Sequence, residues 1–176
     1  GLGFRLTAAC LSLCHNSQIA EVDGQWSAIG DPNDSASAVL GYKINGSVLK
    51  FAQRHPRKHE FFFNTDRKRM SVIHEYEGED WIFAKGGAGG FKKLVKWKVT
   101  KGEIVPIEEG DFEHAARANR DMASKAMRVI ALCARKVLPE DDITDMESME
   151  SNLIFLGMVG IMDPPRAEVY DAILRC

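Results

Sequence analysis

The sequence predicts an α+β domain in which an antiparallel β-sheet is flanked by helices. Residues with high β propensity cluster in the middle of the chain, whereas helical periodicity dominates on both sides of them. Tight turn signals join neighbouring strand candidates, as antiparallel hairpins require. A doubly wound parallel fold would need regular alternation of strands and helices, and that alternation is missing.

Three helices are predicted in the first part of the chain. The first carries an apolar stripe at helical spacing and stops near Asn16. The second begins at Asp31-Pro32, which supply an N-cap and a first-turn proline, with Asp34 at the third helical position. A third, short helix covers residues 48–52.

Strands and turns are predicted in the centre. The strand candidates are residues 60–63, 70–76 and 81–85. Residues 77–80 form a turn, so the second and third strands make an antiparallel hairpin. A glycine cluster at 86–90 leads into a Lys-rich helix or strand, and residues 99–105 contain another tight turn between strands.

The last third of the chain predicts a helix and two buried strands. Helical periodicity returns at Asp111. Apolar runs at 128–134 and 153–161 have the length of buried strands. The acidic stretch 140–150 between them is expected to be a linker or an exposed helix, and another helix begins near Val169.

Length and composition limit the class of protein. The 176 residues suffice for one domain with a substantial core, and 45% hydrophobic with 27% charged residues is the composition of a globular protein. No apolar run approaches the length of about eighteen residues that a membrane span needs. Four unevenly spaced cysteines favour a reducing cytosolic setting. Because the chain begins at Gly1 and stops at Cys176 within a predicted helix, we expect it to be part of a longer protein.

Charge is unevenly distributed along the chain. The net charge of -2 argues against a dedicated nucleic-acid binder. Residues 50–101 carry 13 Lys and Arg against 6 Asp and Glu, whereas residues 102–176 carry 8 against 15. A basic centre between acidic segments suits a small anionic ligand, and solvated faces that happen to segregate are the alternative.

Two positions suggest ligand chemistry. Phe63 precedes a cationic run that ends at Arg69, and an aromatic ring beside Lys and Arg can stack a base and hold phosphates. A core phenylalanine followed by a solvated turn is the alternative. Lys85 precedes the glycine cluster, which permits close approach of the backbone to a ligand but does not fit the Walker spacing.

Metal and nucleophile sites find little support. His55 and His59 have the spacing of a helical metal pair, but Pro56 between them breaks the helix that the pair would need. Cys10 and Cys14 are better explained as packing residues of the first helix. The sequence holds no convincing Ser/His/Asp set.

Six segments carry motifs in a recognisable order. They are Leu13-Cys14-His15-Asn16-Ser17, Gly30 to Asp34, Phe63 to Val72, Lys85-Gly86, Arg128 to Leu132 and Gly157 to Arg166. The order and content resemble the nucleotide-binding domain of a P-type cation-transporting ATPase, in the branch that contains calcium, sodium/potassium and proton pumps. The last segment is the most specific, because it contains the long Asp-Pro-Pro-Arg signature of that family.

The resemblance implies a set of nucleotide-binding residues. Phe63 would stack the adenine, Lys85 with Gly86 would line the inner pocket, and Lys68 would lie near the phosphates. Arg128 would reach the phosphate chain, and Asp34 would receive the adenine amino group. Asp34 stands where the family usually has Glu, and Gly87 and Ala88 stand where it has Ala and Pro. No catalytic residue and no metal ligand is expected in this chain.

The resemblance also implies a larger enzyme. Residues 1–160 would form the nucleotide-binding domain, and residues 161–176 the hinge, with Asp163 and Arg166, and the start of the phosphorylation domain. The parent would be an integral membrane protein whose cytoplasmic part uses ATP with Mg²⁺ to phosphorylate an aspartate in the phosphorylation domain. The actuator and transmembrane domains would complete it, calcium is the favoured cargo, and this chain alone would bind ATP without turnover.

Two other functions stay open from the sequence. One is a freestanding regulatory module that binds an adenine nucleotide. The other is a non-catalytic interaction domain whose basic centre docks an acidic partner. The second predicts salt-sensitive binding of protein and no preference for adenine.

Overall fold

A computed structural model describes residues 1–162 of the chain, apart from the side chains at positions 21, 22 and 25. In chain order the elements are α1 (Leu2–Leu13), β1 (Gln18–Val22), β2 (Gln25–Ile29), α2 (Pro32–Asn45), α3 (Val48–Arg54), β3 (Arg57–Asn64), β4 (Arg69–Tyr76), β5 (Glu79–Gly86), β6 (Val95–Thr100), β7 (Glu103–Pro106), α4 (Glu109–Ala123), β8 (Arg128–Lys136), α5 (Met146–Met149) and β9 (Leu153–Ile161).

Within the described residues, seven strands form one sheet and two form a separate hairpin. The sheet has the order β3-β4-β5-β8-β9-β6-β7, and β1 pairs with β2. Neighbouring strands of the sheet are antiparallel except β6 and β9, which pair in parallel. The predicted α+β class is confirmed, with this one parallel pair as a departure from a purely antiparallel sheet.

Side chains of the central strands are buried on both faces of the sheet. Val72, Phe83 and Leu132 pack with α1 on one face. Ile73 and Cys133, next to two of them in sequence, belong to the cluster on the opposite face. Because successive side chains of a strand point to opposite faces, a strand covered on both sides is apolar throughout, as residues 129–134 are.

The helices cover these two faces unequally. The second half of α1 is buried, and the fully buried Cys10 and Cys14 contact backbone carbonyls of the central strands. The opposite face is partly covered by Phe112 of α4 and by Phe91, which follows a 3-10 turn at Ala88–Gly90. The expectation that the two cysteines are packing residues is confirmed.

Two segments differ from the sequence prediction. The β1–β2 hairpin was not predicted, and its turn at Asp23 and Gly24 has positive φ at both residues, 53° and 74°. The prediction of a linker or an exposed helix at 140–150 is wrong at its end, because Met149 and Glu150 are buried. Met149 packs in the core, and Glu150 forms ion pairs with arginines.

The remaining predictions concern termini and membrane spans. Asp163, Arg166 and the helix expected near Val169 lie outside the described residues. Among residues 1–162, no helix combines the length and the apolar character that a membrane crossing demands.

Candidate nucleotide site

A cavity of about 560 Å³ lies between the start of α2, the β3–β4 turn and the adjoining ends of β5 and β8. All six binding candidates from the sequence line it. They are Asp34, Phe63, Lys68, Lys85, Gly86 and Arg128. Residues that are far apart in the chain therefore surround one space that combines aromatic, cationic and acidic groups.

An irregularity in β3 turns two aromatic rings toward the cavity. Phe61 pairs with Ser71 and Asn64 with Arg69, so Phe62 and Phe63 together oppose the single residue Met70. This two-against-one arrangement is a β-bulge, which breaks the alternation of the strand. Phe62 and Phe63 are consequently both exposed, by 71% and 61%, and both line the cavity.

Phe62 is a residue that sequence reasoning missed. Alternate side chains of a regular strand point to opposite faces, so the spacing places Phe61 and Phe63 on one face and Phe62 on the other. The run Phe61-Phe62-Phe63 does not indicate the bulge that exposes Phe62 beside Phe63, so the sequence held no usable signal for it.

The inner end of the cavity holds a buried ion pair. The Nζ atom of Lys85 lies 2.6 Å from Oδ1 of Asp34 and donates to Oγ of Ser37 at 3.1 Å. The other oxygen of Asp34 accepts the backbone N–H of Asn16 at 2.9 Å. Only 5% of the Lys85 side chain and 15% of the Asp34 side chain are exposed. Asp34 therefore forms an ion pair with Lys85, and its carboxylate oxygens retain lone pairs that can accept a further hydrogen bond.

The start of α2 forms the opposite wall. Asp31 caps the helix, since its Oδ1 accepts the N–H groups of Asn33 at 2.9 Å and of Asp34 at 3.3 Å. Arg128, the first residue of β8, donates from Nη1 to Oδ1 of Asn33 at 3.0 Å. The exposed guanidinium therefore sits at the mouth of the cavity and bonds there to a neutral side chain.

The β3–β4 turn brings Lys68 to the same mouth. The side-chain oxygen of Asn64 accepts the N–H of Asp66 at 2.7 Å, and its backbone oxygen accepts the N–H of Lys68 at 2.7 Å. Lys68 itself has φ of 52°. A Cβ atom on Gly86 would overlap the Lys68 carbonyl oxygen and would lie 2.6 Å from Cβ of Arg69. Glycine is thus required there by the protein's own turn, and not only by approach of a ligand.

The electrostatics near the ion pair favour a neutral histidine. Burial, with Lys85 acting in the same direction, lowers the pKa of His15 to about 4. Its Nε2 lies 3.0 Å from the Ser12 carbonyl oxygen, to which the neutral ring donates. Lys85 is therefore accompanied by an uncharged ring and by the carboxylate of Asp34.

The described residues do not provide a metal site. Within residues 1–162, no three His, Cys, Asp or Glu side chains are grouped so that they could hold a metal ion. The two carboxylates at the cavity are engaged, Asp31 with the helix start and Asp34 with Lys85. His55 and His59 form no such group.

Comparison with known proteins gives the family. Residues 4–168 match the family model described as P-type ATPase, cytoplasmic domain N. The chain is 30% identical over 165 residues to the cation-transporting ATPase pma1 of Synechocystis, and 33% identical over 150 residues to calcium-transporting ATPase 1 of Bacillus cereus. It is 31% identical over 170 residues to calcium-transporting ATPase 1 of Lactococcus lactis.

These matches cover most of the chain but a small part of each relative. They include 93%, 85% and 96% of this chain, and 18%, 17% and 19% of the three relatives respectively. The chain thus spans less than a fifth of the length of each of these ATPases. The family model spans nearly all of the described residues, including every residue that lines the cavity. The chain belongs to the family of the P-type ATPase cytoplasmic domain N.

Proposed function

We propose that this chain is the ATP-binding domain of a P-type cation-transporting ATPase and that the cavity beside the β3–β4 turn holds the nucleotide. The observation that carries the proposal is the convergence of exposed aromatic rings, a buried Lys85–Asp34 pair and two cations at the mouth of one cavity. A nucleotide presents a flat base at one end and negative charge at the other, so it matches this arrangement.

The aromatic wall is suited to the base. Phe62 and Phe63 expose their rings beside the ion pair, and stacking of a base on an aromatic side chain contributes about 1–3 kcal/mol. The oxygens of Asp34 can accept the amino group of adenine, which guanine lacks at that position. We therefore expect the cavity to prefer adenine over guanine.

The mouth is suited to the phosphates. Arg128 donates one N–H to Asn33, and the other N–H groups of its planar guanidinium can bind phosphate oxygens. Lys68, which is exposed, adds an ammonium group from the β3–β4 turn. The carboxylates at the cavity are engaged with Lys85 and with the start of α2 and do not fit a magnesium site, so Mg²⁺ would come bound to the nucleotide.

The function of the whole protein is inferred from that of its relatives. We infer that the chain belongs to an ATP-hydrolysing pump of the membrane and works on its cytoplasmic side, with calcium as the favoured cargo. This domain would present the γ-phosphate of ATP to an aspartate of a phosphorylation domain, whose carboxylate oxygen would take the phosphoryl group as ADP leaves. Actuator and transmembrane domains of the same polypeptide would couple that step to transport.

The domain boundary is part of the proposal. The strand β9 ends at Ile161, which agrees with a nucleotide-binding domain over residues 1–160. Residues 161–176 would then contain the hinge, with Asp163 and Arg166, and the start of the phosphorylation domain.

The other two functions are less well supported. Basic residues of the centre form ion pairs with acidic residues beyond it, as in Arg69–Glu150, Lys92–Glu109 and Lys98–Asp111. Much of the basic surface that an acidic partner would need is therefore neutralised within the fold. The family argues against a freestanding regulatory module, because the relatives named above are ATPases several times longer than this chain.

The test is a titration of the chain with ATP, followed by backbone amide NMR, with GTP as the competitor. We expect shifts around Phe63, Lys85 and Arg128, and a Kd of about 1 mM, or about -4 kcal/mol. Phe63→Ala should remove these shifts. Phe4→Ala is the matched control, because Phe4 lies on α1 and is 64% exposed, close to the 61% of Phe63.

The decisive negative result is a folded spectrum that does not change with ATP up to about 10 mM. That result would overturn nucleotide binding. Binding of an acidic polypeptide at low salt by the same sample would then establish the docking function instead.

A further inference from the structure

A buried carboxylate lies behind the β3–β4 turn. Glu150, three residues before β9, is 1% exposed. Its Oε1 accepts Oγ–H of Ser71 at 2.8 Å and Nη2 of Arg67 at 3.2 Å. Its Oε2 accepts Nε of Arg69 at 2.7 Å and Nε of Arg67 at 3.3 Å. One side chain thus joins three residues of a distant turn and strand.

The two arginines extend this connection to the cavity wall. Arg67 also donates from Nη1 and Nη2 to the Phe62 carbonyl oxygen at 3.1 and 3.2 Å, so one guanidinium bridges Glu150 and the β-bulge. Arg69 donates from Nη1 to the Arg67 carbonyl oxygen at 3.1 Å. Lys68 stands between the two arginines in the sequence. It makes no hydrogen bond or ion pair with Glu150, but Glu150 binds both of its chain neighbours.

Stability alone is a weak reason for such an arrangement. Taking a carboxylate and two guanidinium groups out of water is costly, and apolar replacements of buried ion pairs are often at least as stable. What an apolar side chain at position 150 could not do is hold four hydrogen-bond donors, from three residues, in fixed directions. Three of the donors it would release belong to Arg67 and Arg69, which flank Lys68 where the turn leads into β4.

We propose that Glu150 is a positioning residue for nucleotide binding, which fixes the β3–β4 turn so that Phe62, Phe63 and Lys68 face the cavity. The inference rests on the proposed function, since it explains how that site is held. Glu150 touches the turn from behind and does not line the cavity, so it acts through Arg67 and Arg69.

The sign of the effect of Glu150→Gln separates positioning from plain electrostatics. Removal of a negative charge near a cationic turn would by itself attract a polyanion more strongly and would tighten ATP binding. Loss of positioning predicts the opposite. We expect the Kd for ATP to rise about fivefold to tenfold, because a loosened turn forfeits part of the stacking on Phe63.

A second variant keeps the local charge unchanged. Arg67→Lys retains the cation but cannot bridge Glu150 and the Phe62 carbonyl in the way that a planar fork does. It should weaken ATP binding in the same direction as Glu150→Gln. If both residues act through one connection, the double variant should bind ATP with the Kd of the weaker single variant. Independent effects would instead multiply the two increases in Kd.

The matched control is Asp111→Asn. Asp111 pairs with Lys98 at 2.6 Å and does not line the cavity, so this change also removes one negative charge from an ion pair without touching the turn. It should leave the Kd for ATP unchanged. Urea unfolding of each variant shows whether the sample is fully folded at the titration temperature, and hydrogen exchange of amides 64–69 reports the order of the turn directly.

The outcomes distinguish this inference from the function on which it rests. Wild-type chain that fails to bind ATP overturns the proposed function, and the role of Glu150 in nucleotide binding with it. Wild-type chain that binds ATP, together with folded Glu150→Gln and Arg67→Lys that bind equally well or more tightly, overturns only the positioning role. Weaker binding with faster exchange at 64–69, and unchanged Asp111→Asn, supports it.

Discussion

Two buried histidines illustrate how burial fixes the charge of single residues. His74 lies with Nδ1 2.6 Å from the His55 carbonyl oxygen, and its Nε2 accepts Nε–H of Arg57 at 3.1 Å. A second proton on Nε2 of His74 would therefore point at the N–H group of Arg57. His15 donates to Ser12, and the described part of the chain offers its buried Nδ1 no partner. Burial, the largest cause in both, lowers the pKa of each to about 4.

These shifts predict a loss of stability in mild acid. Both pKa values fall from an unfolded value of 6.5 to about 4, so between these limits the unfolded chain binds more protons than the folded one. The free energy of unfolding should be unaffected by these groups above pH 6.5 and should fall below it, by about 2 kcal/mol for each histidine at pH 5. Urea unfolding between pH 7 and pH 5 measures this fall.

A substitution tests the assignment to a histidine. His74→Gln removes one of the two histidines whose pKa values fall to about 4 and should make the pH dependence shallower, at some cost in stability at pH 7. Leu49→Ala, at a position 68% exposed, should keep the wild-type slope. An unaltered slope in His74→Gln would show that His74 is not the group responsible.

The residues of the site differ in how far the sequence alone predicts them. Lys85 and Asp34 were both candidates, because their motifs placed them in the binding set. Their direct pairing was not foreseen, since spacing along a chain carries no information about which distant side chains meet. Glu150 was missed for the same reason: an acidic run predicts a solvated segment, and only the fold brings Arg67 and Arg69 to it.

The β3–β4 turn is the element on which the cavity most depends. Gly86 on β5 lies against Lys68 and Arg69, and the Gly87 N–H donates to the Lys68 carbonyl oxygen at 3.1 Å. The neighbouring strand therefore holds the turn from one side, while Glu150 holds it from another. Any side chain at position 86 must displace backbone rather than a flexible side chain.

Adjacent glycines give a matched pair of substitutions for this element. Gly86→Ala forces a Cβ atom onto the Lys68 carbonyl and should cost about 1–3 kcal/mol of unfolding free energy, with weaker ATP binding. Gly87→Ala meets nothing within 4 Å and has φ of -62°, so its stability should change by less than about 0.5 kcal/mol. Urea unfolding compares them, and equal stability of the two variants would contradict this account of the turn.

Local sequence patterns predict several of the strands and turns. The apolar runs at β8 and β9 and the hairpin of β4 with β5 follow from period and turn residues, and the structure has them. The β1–β2 hairpin had a usable signal in Asp23-Gly24, a pair typical of two-residue hairpin turns. The parallel pairing of β6 with β9 had none, because it is set by the chain's return after α4 and β8.

Across the whole molecule, opposite charges from different parts of the sequence meet in the fold. The basic centre, residues 50–101, and the acidic residues 102–176 have equal and opposite charge, and pairs such as Lys92–Glu109 and Arg69–Glu150 join them. With a net charge of only -2, the molecule as a whole does not attract a polyanion. Under the proposed function, attraction for phosphates would therefore be local, from Lys68 and Arg128 at the mouth of the cavity.

Local attraction predicts a salt effect that depends on the phosphates and not on the base. From about 0.05 to about 0.5 M NaCl, the Kd for ATP should rise about threefold to tenfold, because exposed charges are screened. The Kd for adenosine, which would stack on Phe63 without phosphates, should change less than about twofold.

A pair of lysine variants tests the same point. Lys68→Gln should weaken ATP binding at low salt and flatten its salt dependence. Lys93→Gln should do neither, because Lys93 is exposed and does not line the cavity. Equal effects of the two lysine variants, or equal salt dependence for ATP and adenosine, would mean that the anion is held by diffuse surface charge. Calorimetric titration of the two ligands in both salts therefore decides whether the phosphates occupy the mouth of this cavity.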